Sequence, residues 1–316
     1  MADKPSRALV LFGDGLARFI DPSHIHLHSL ASAGFCGFLS LPDCPLSDSE
    51  DERIVREFAV LLDAYETYLN MSEHNTDKDS QRNLMKQSLP NRFMGMKAAI
   101  LSNNSSLKSF SAKLGFHTLQ LDELLRAHDA DLQVNVEALE LLKLLGFQEG
   151  EVVDNQFDVV FFHIGAGEKV NSNESEVIAA DVEYANALVS GIICQAQPGS
   201  DISSRLHLSV VLSFGNVLND DDTKFSVSKS FDENSYLSKL FPSQSYTMKG
   251  ETPRADVRHH SPMLIAQLRH GVTRKDNAEK FSFEDFKEHG GNLTIPADRF
   301  LHEVAFKLWK APKYGA

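Results

Sequence analysis

Short unbroken apolar runs alternate along the chain with stretches in which apolar residues recur every three or four positions. Ala8–Phe12 (ALVLF) is such a run, halted by Gly13-Asp14-Gly15, which predicts a buried strand stopped by a tight turn. Phe35–Leu41, Met96–Leu101, Phe157–Ile164, Leu206–Phe214 and Met263–Leu268 predict five more strands. The near-continuous apolar character of FDVVFFHI is that of a strand covered on both faces. Between them, Asp21-Pro22 offers a cap and a first-turn proline for a helix ending near Gly34. Helical spacing at Val55, Phe58, Leu61, Leu62 and Tyr65 predicts a helix over Ile54–Leu69. Leu107–Leu114 is stopped by Gly115, and Asp122–Leu145 by Gly146, with Leu139, Leu142 and Leu145 expected along one side. Val177–Cys194 and Arg299–Trp309 complete the helices. Ser72–Asn91 has no apolar period and is expected as a loop or frayed helix end, and Asn219–Asp222 as a surface loop.

Strands alternating with helices predict a three-layer α/β/α sandwich with a mainly parallel sheet. No internal repeat or long linker divides the chain, so residues 1–316 are expected to form a single domain.

Composition narrows the function classes. The chain has 316 residues, is 42% apolar and carries a net charge of −13, as expected of a soluble globular protein. The acidic excess argues against nucleic acid and against anionic membranes as partners. No run reaches the ~18 apolar residues of a membrane span. The first residues carry no signal-peptide pattern, and three cysteines (Cys36, Cys44, Cys194) form no CxxC pair. A reducing, cytoplasmic setting is the expectation.

Five segments occur in the order seen in cofactor-independent phosphoglycerate mutases, particularly the shorter archaeal-type branch. They are LVLFGDGLA, LASAGFCGFL, Arg92–Leu101 with the following GFHTLQL, FDVVFFHIGAGEKV, and Arg258–Leu301 from RHHSPMLIAQLRHGV to KFSFEDFKEHGGNLTI. The chain resembles that family, a branch of the alkaline phosphatase superfamily, with the family's inserted cap domain absent. The resemblance implies an alkaline-phosphatase-like fold and a Ser or Thr nucleophile between two divalent metals, which lower its pKa and offset charge on a transferring phosphoryl group.

Carried over residue by residue, Asp14 matches the first metal ligand, and Ser47 in PLSD the nucleophile, with Leu46 where the family has glycine. His163 and Glu168 match the strand-end His and the nearby metal Asp, and His260, or its neighbour His259, the C-terminal metal His. Each also has an ordinary reading. Asp14 suits a turn, Ser47 a helix cap before an acidic first turn, His163 a hydrogen-bonded strand end, Glu168 a solvated loop, and His259-His260 a surface pair. The family's Asp-His pair is replaced by Ser213-Phe214-Gly215-Asn216, which supplies no strong ligand.

Two functions follow from the resemblance. One is a catalytically inactive binding or scaffold protein with a small phosphorylated ligand or a protein as partner. The other is a phosphomutase or phosphatase working through a reduced site holding one Mn, Zn or Mg ion at Asp14, Glu168 and His260. Two further patterns carry less. His24, His26 and His28 alternate, but on a helix His26 turns away from the other two. Gly165-Ala166-Gly167 lacks the remainder of a nucleotide-binding turn.

Overall fold

The computed structural model describes residues 6–43, 49–72, 88–120, 130–148, 151–152, 157–165, 174–216, 225–227, 248–249, 252–254, 257–290 and 294–312. In chain order the strands are β1 (Arg7–Gly13), β2 (Phe35–Ser40), β3 (Ala98–Leu101), β4 (His117–Leu119), β5 (Phe147–Gln148), β6 (Glu151–Val152), β7 (Val159–Ile164), β8 (Leu206–Leu212), β9 (Met248–Lys249), β10 (Thr252–Pro253), β11 (Met263–Leu268) and β12 (Ile295–Pro296). The helices are α1 (Ile25–Ala33), α2 (Glu50–Leu61), α3 (Tyr65–Ser72), α4 (Leu89–Arg92), α5 (Ser105–Lys113), α6 (Ala130–Leu144), α7 (Glu174–Gln195), α8 (Asp201–Arg205), α9 (Phe283–His289) and α10 (Phe300–Lys307).

Eight strands form one sheet in the order β12-β2-β11-β8-β1-β7-β3-β4. β11 runs antiparallel to both of its neighbours, and every other pairing in this sheet is parallel. β1 lies centrally between β8 and β7, and all seven of its residues are buried. Alternate residues of β1 feed two cores. Leu9 and Leu11 pack with α1, α6, α7 and α9 on one face; Ala8, Val10 and Phe12 pack with α2, α5 and α10 on the other. This is the three-layer arrangement that period-two alternation on a doubly covered sheet demands. Residues 177–195 of α7 are long and apolar enough to cross a membrane. In the fold, its Val182, Ala185, Leu188, Val189 and Ile192 are buried in the first of those cores.

Three expected elements differ. The first helix starts at Ile25, because Asp21 and Pro22 make a turn ahead of it. The Asp21 carboxylate accepts the Ser23 N–H at 2.8 Å, and the Asp21 N–H donates to His24 Nδ1 at 2.9 Å. The helix expected over Ile54–Leu69 is two, separated at Asp63, whose φ of 51° closes α2 while Ala64 N–H reaches back to Ala59 O at 2.8 Å. Arg92 at 2.8 Å and His302 at 2.9 Å hold the Asp63 carboxylate in place. On α6 the buried side is Ala138, Leu141, Leu142 and Leu145, and Leu139 is exposed. The expected loop over Ser72–Asn91 lies mostly outside the described residues; its last residues begin α4. The loop at Asn219–Asp222 also lies outside them.

Candidate functional site

β1, β7 and β8 are adjacent and parallel, so their C-terminal ends share one sheet edge, the place where open α/β sheets receive ligands. Asp14 follows β1, His163 is the penultimate residue of β7, and Ser213 follows β8. A hydrogen bond from Asp14 N–H to Ile164 O at 3.0 Å and one from Ser213 N–H to Gly13 O at 2.9 Å fix their backbones.

Helix α2 supplies the cation at this edge. Its start is set by Ser49, whose hydroxyl accepts the Glu52 N–H while the Glu52 carboxylate accepts the Ser49 N–H, a reciprocal capping box. One turn later Arg53 forks onto Asp14, with Nη1 to Oδ1 at 2.7 Å and Nη2 to Oδ2 at 3.0 Å. Paired forks of this kind are the strongest charge-assisted geometry available to a carboxylate. Arg53 Nη1 also lies 3.5 Å from Glu57 Oε2, and Arg258 Nη2 lies 3.9 Å from Glu57 Oε1. The side chains of Asp14, Arg53, Glu57 and Arg258 are all at least nine-tenths buried.

Burial alone would pull the Arg53 guanidinium's pKa down, but Asp14 and Glu57 outweigh it and hold the group above its ordinary range. Burial pushes the Glu57 carboxyl up, against the opposing pull of Arg53.

Ser213 is the hub of the backbone here. Its hydroxyl donates to Asp14 Oδ1 at 3.1 Å and accepts the N–H groups of Gly15 at 3.1 Å and Gly215 at 3.3 Å. Both glycines have positive φ, 70° and 71°, and a Cβ on Gly215 would come within 3.0 Å of Gly15 Cα. The two strand ends therefore touch, backbone to backbone.

His163 makes a separate pair. Its Nδ1 lies 3.0 Å from Ser102 Oγ, which itself accepts the Asn104 N–H at 3.0 Å. Its Nε2 is buried without a hydrogen-bond partner among the described residues. Burial holds this imidazole below its usual pKa, so it is neutral at pH 7.

No protein-family model matches this chain, and no curated protein matches it. Its fold is similar to that of PH0037 from Pyrococcus horikoshii, at 13% identity and a TM-score of 0.51 over 99% of both chains. At lower scores come an alkaline phosphatase superfamily protein from Vibrio parahaemolyticus (13% identity, TM-score 0.45, 86% of this chain and 62% of that one) and the cofactor-independent phosphoglycerate mutase of Thermoplasma acidophilum (10%, 0.44, 95% and 100%). The likeness to PH0037 is one of fold alone, an α/β architecture.

Of the residues singled out in the sequence, Asp14 and His163 stand at the shared sheet edge. Ser47 and Glu168 lie outside the described residues. His259 is exposed and His260 half-buried, on a segment whose backbone bonds to residues 225–227, with Val227 N–H to His259 O at 2.8 Å and Ser261 N–H to Phe225 O at 2.9 Å. From that segment it is Arg258, next to the histidine pair, that reaches the strand-end cluster. Among the described residues no group of three His, Cys, Asp or Glu side chains is placed to hold a metal. With both Asp14 oxygens bonded to one guanidinium, the donors present do not fit a divalent ion as they stand.

Arg53, Glu57 and Ser213 were not among the residues expected from the sequence. Ser213 was named there only within the segment replacing the family's Asp-His pair, and Arg53 fell just ahead of the helix expected over Ile54–Leu69. The histidine triplet also resolves into local roles. His24 precedes α1, and His28 Nδ1 accepts the Phe281 N–H at 3.0 Å.

Proposed function

We propose that this chain is a non-catalytic, phosphoglycerate-mutase-like protein of the alkaline phosphatase superfamily that acts by binding a partner, as a scaffold or a sensor of a small phosphorylated ligand in the cytoplasm. The observation that carries the reading is the Arg53–Asp14 fork at 2.7 and 3.0 Å. A metal-assisted phosphoryl transfer needs a carboxylate with free oxygens at this edge to hold the ion. Here they are consumed by a buried, permanently charged side chain. Removing one partner of such a pair costs about 3–5 kcal/mol, so an incoming ion would have to displace Arg53 against that penalty. The replacement of the family's Asp-His pair by Ser213-Phe214 points the same way, because Ser213 spends its hydroxyl on Asp14 and two backbone N–H groups.

The test is direct. Protein purified without chelator should carry well under about one tightly held Mn²⁺ or Zn²⁺ per chain, since an ion bound by an incomplete donor set dissociates on purification. It should also fail to turn over an aryl phosphate or 3-phosphoglycerate with added Mn²⁺. Turnover that disappears in both Ser47→Ala and Asp14→Asn would overturn the reading in favour of a phosphomutase or phosphatase with a reduced metal site.

A further inference from the structure

The strand-end cluster contains more than a single ion pair. Arg53 Nη1 stands 2.7 Å from Asp14 Oδ1 and 3.5 Å from Glu57 Oε2, so one nitrogen sits between carboxylates brought from a strand end and a helix. Two carboxylates facing one positive centre are ligands of the kind hard divalent cations take, with water completing the shell. What occupies the centre is a side-chain nitrogen. The charges also balance, because Asp14 and Glu57 face Arg53 and Arg258, all buried. Taking away Arg53 alone would leave two buried carboxylates facing one guanidinium, a state stable only if something positive enters or a proton is taken up.

We propose that the Arg53 guanidinium is the resident cation of this site: it stands at the point between Asp14 and Glu57 where a divalent ion would bind, and cutting it back opens a divalent-cation site. The chain thereby supplies its own counter-charge, and the sheet edge is held together without any ion. The inference rests on the non-catalytic reading of the site but makes a claim about binding, separable from activity.

The test compares the wild type, Arg53→Ala and Asp14→Asn/Arg53→Ala by thermal unfolding in EDTA and in Mn²⁺, with metal content measured at dialysis equilibrium. The wild-type midpoint should be the same in both media. Arg53→Ala should fall by roughly 6–10 °C in EDTA, regain at least about half of that in Mn²⁺, and take up close to one ion per chain in dialysis equilibrium with Mn²⁺. The double variant should ignore Mn²⁺. If Arg53→Ala is insoluble when expressed, refolding from urea decides: recovery with Mn²⁺ and not with EDTA supports the proposal, and recovery in neither overturns it. An Arg53→Ala protein as stable as wild type in EDTA, or one that is weakened and indifferent to Mn²⁺, also overturns it. Wild-type turnover of an aryl phosphate that persists in EDTA would defeat the functional reading and leave this binding result standing.

Discussion

Ser213 Oγ lies 3.1 Å from Asp14 Oδ1, and through this contact the end of β8 is tied to the end of β1. The same oxygen accepts two backbone N–H groups, so Ser213→Ala would leave the half-buried donor of Gly15 and the buried donor of Gly215 without their acceptor. Each such loss costs about 1–3 kcal/mol, and Ser213→Ala is expected to destabilise by at least the upper part of that range. Urea unfolding measures it; a loss below about 0.5 kcal/mol would show that the hub is not needed.

The contact between the glycines gives an ordered pair of variants. Gly15 and Gly215 share the same left-handed φ, so alanine at either position costs about 1–2 kcal/mol for conformation alone. At Gly215 the new Cβ also meets Gly15 Cα at 3.0 Å, whereas at Gly15 it meets Gly215 Cα at an ordinary 3.7 Å. Backbone cannot swing aside as a flexible side chain would. Gly215→Ala should therefore be the more damaging of the two, and equal unfolding midpoints would contradict this close approach.

Helix α2 delivers Arg53, and its first turn is fixed by the Ser49–Glu52 capping box. Ser49→Ala removes the acceptor for the Glu52 N–H and should cost about 0.5–2 kcal/mol. Ser49→Asp should restore most of it, because aspartate caps equally well and adds negative charge at the helix's positive end. A failed rescue would mean that Ser49 matters for a reason other than capping.

The sheet was readable because its strands are buried on both faces. RALVLFG, VVFFHI and MLIAQL are near-continuous apolar runs that need no partner to be recognised. β4 was not readable: His117 and Thr118 are exposed on an edge strand of three residues, too short for alternation to register. The break between α2 and α3 was hidden because neither glycine nor proline marks it; Asp63 adopts the left-handed conformation unaided by either. The site was half visible. Asp14 announced itself by following a strand, but its partner Arg53 lay just ahead of the expected helix and carried no pattern of its own. All nine residues of α2 from Arg53 to Leu61 are buried. On so enclosed a helix Arg53, Arg56 and Glu57 cannot be a solvated face, a fact that only tertiary packing supplies. The histidine pair after Arg258 drew attention to ligand chemistry and away from the arginine.

The two described cysteines should differ sharply in reactivity. Burial pushes the Cys36 thiol far above its ordinary pKa, with Asp276 and Asp285 adding to the effect, while Cys194 is exposed. Since the thiolate is the nucleophile, iodoacetamide should label Cys194 in the folded protein and spare Cys36 until urea is added. Peptide mass spectrometry reads both sites at once. Prompt labelling of Cys36 under native conditions would show that β2 opens far more readily than its packing implies.

Two buried histidines give the fold a dependence on acid that can be assigned to residues. At His207, burial is the largest cause of a pKa well below its ordinary value, with Lys307 and Arg269 adding to it. At His163 burial also lowers the value; Arg53 adds to this, and Asp14 and Asp51 oppose it. Both imidazoles are thus neutral in the fold at a pH where the unfolded chain, titrating near 6.5, already takes up protons. Proton uptake by the unfolded state lowers stability as pH falls, so their contribution is whole above about pH 7.5. It is lost progressively from about pH 6.5 downward, until the folded-state pKa is reached, by up to about 1.4 kcal/mol per pH unit for each histidine. His207→Gln and His163→Asn each remove one titrating group. Subtracting each variant's unfolding free energy from that of the wild type, at points between pH 7.5 and 5.5, cancels the carboxylates common to both. The difference should shrink steadily on acidification, more for His207 than for His163, whose neighbouring aspartates soften the shift. A difference that stays flat across this window for both variants would mean that the two imidazoles are not held neutral by burial.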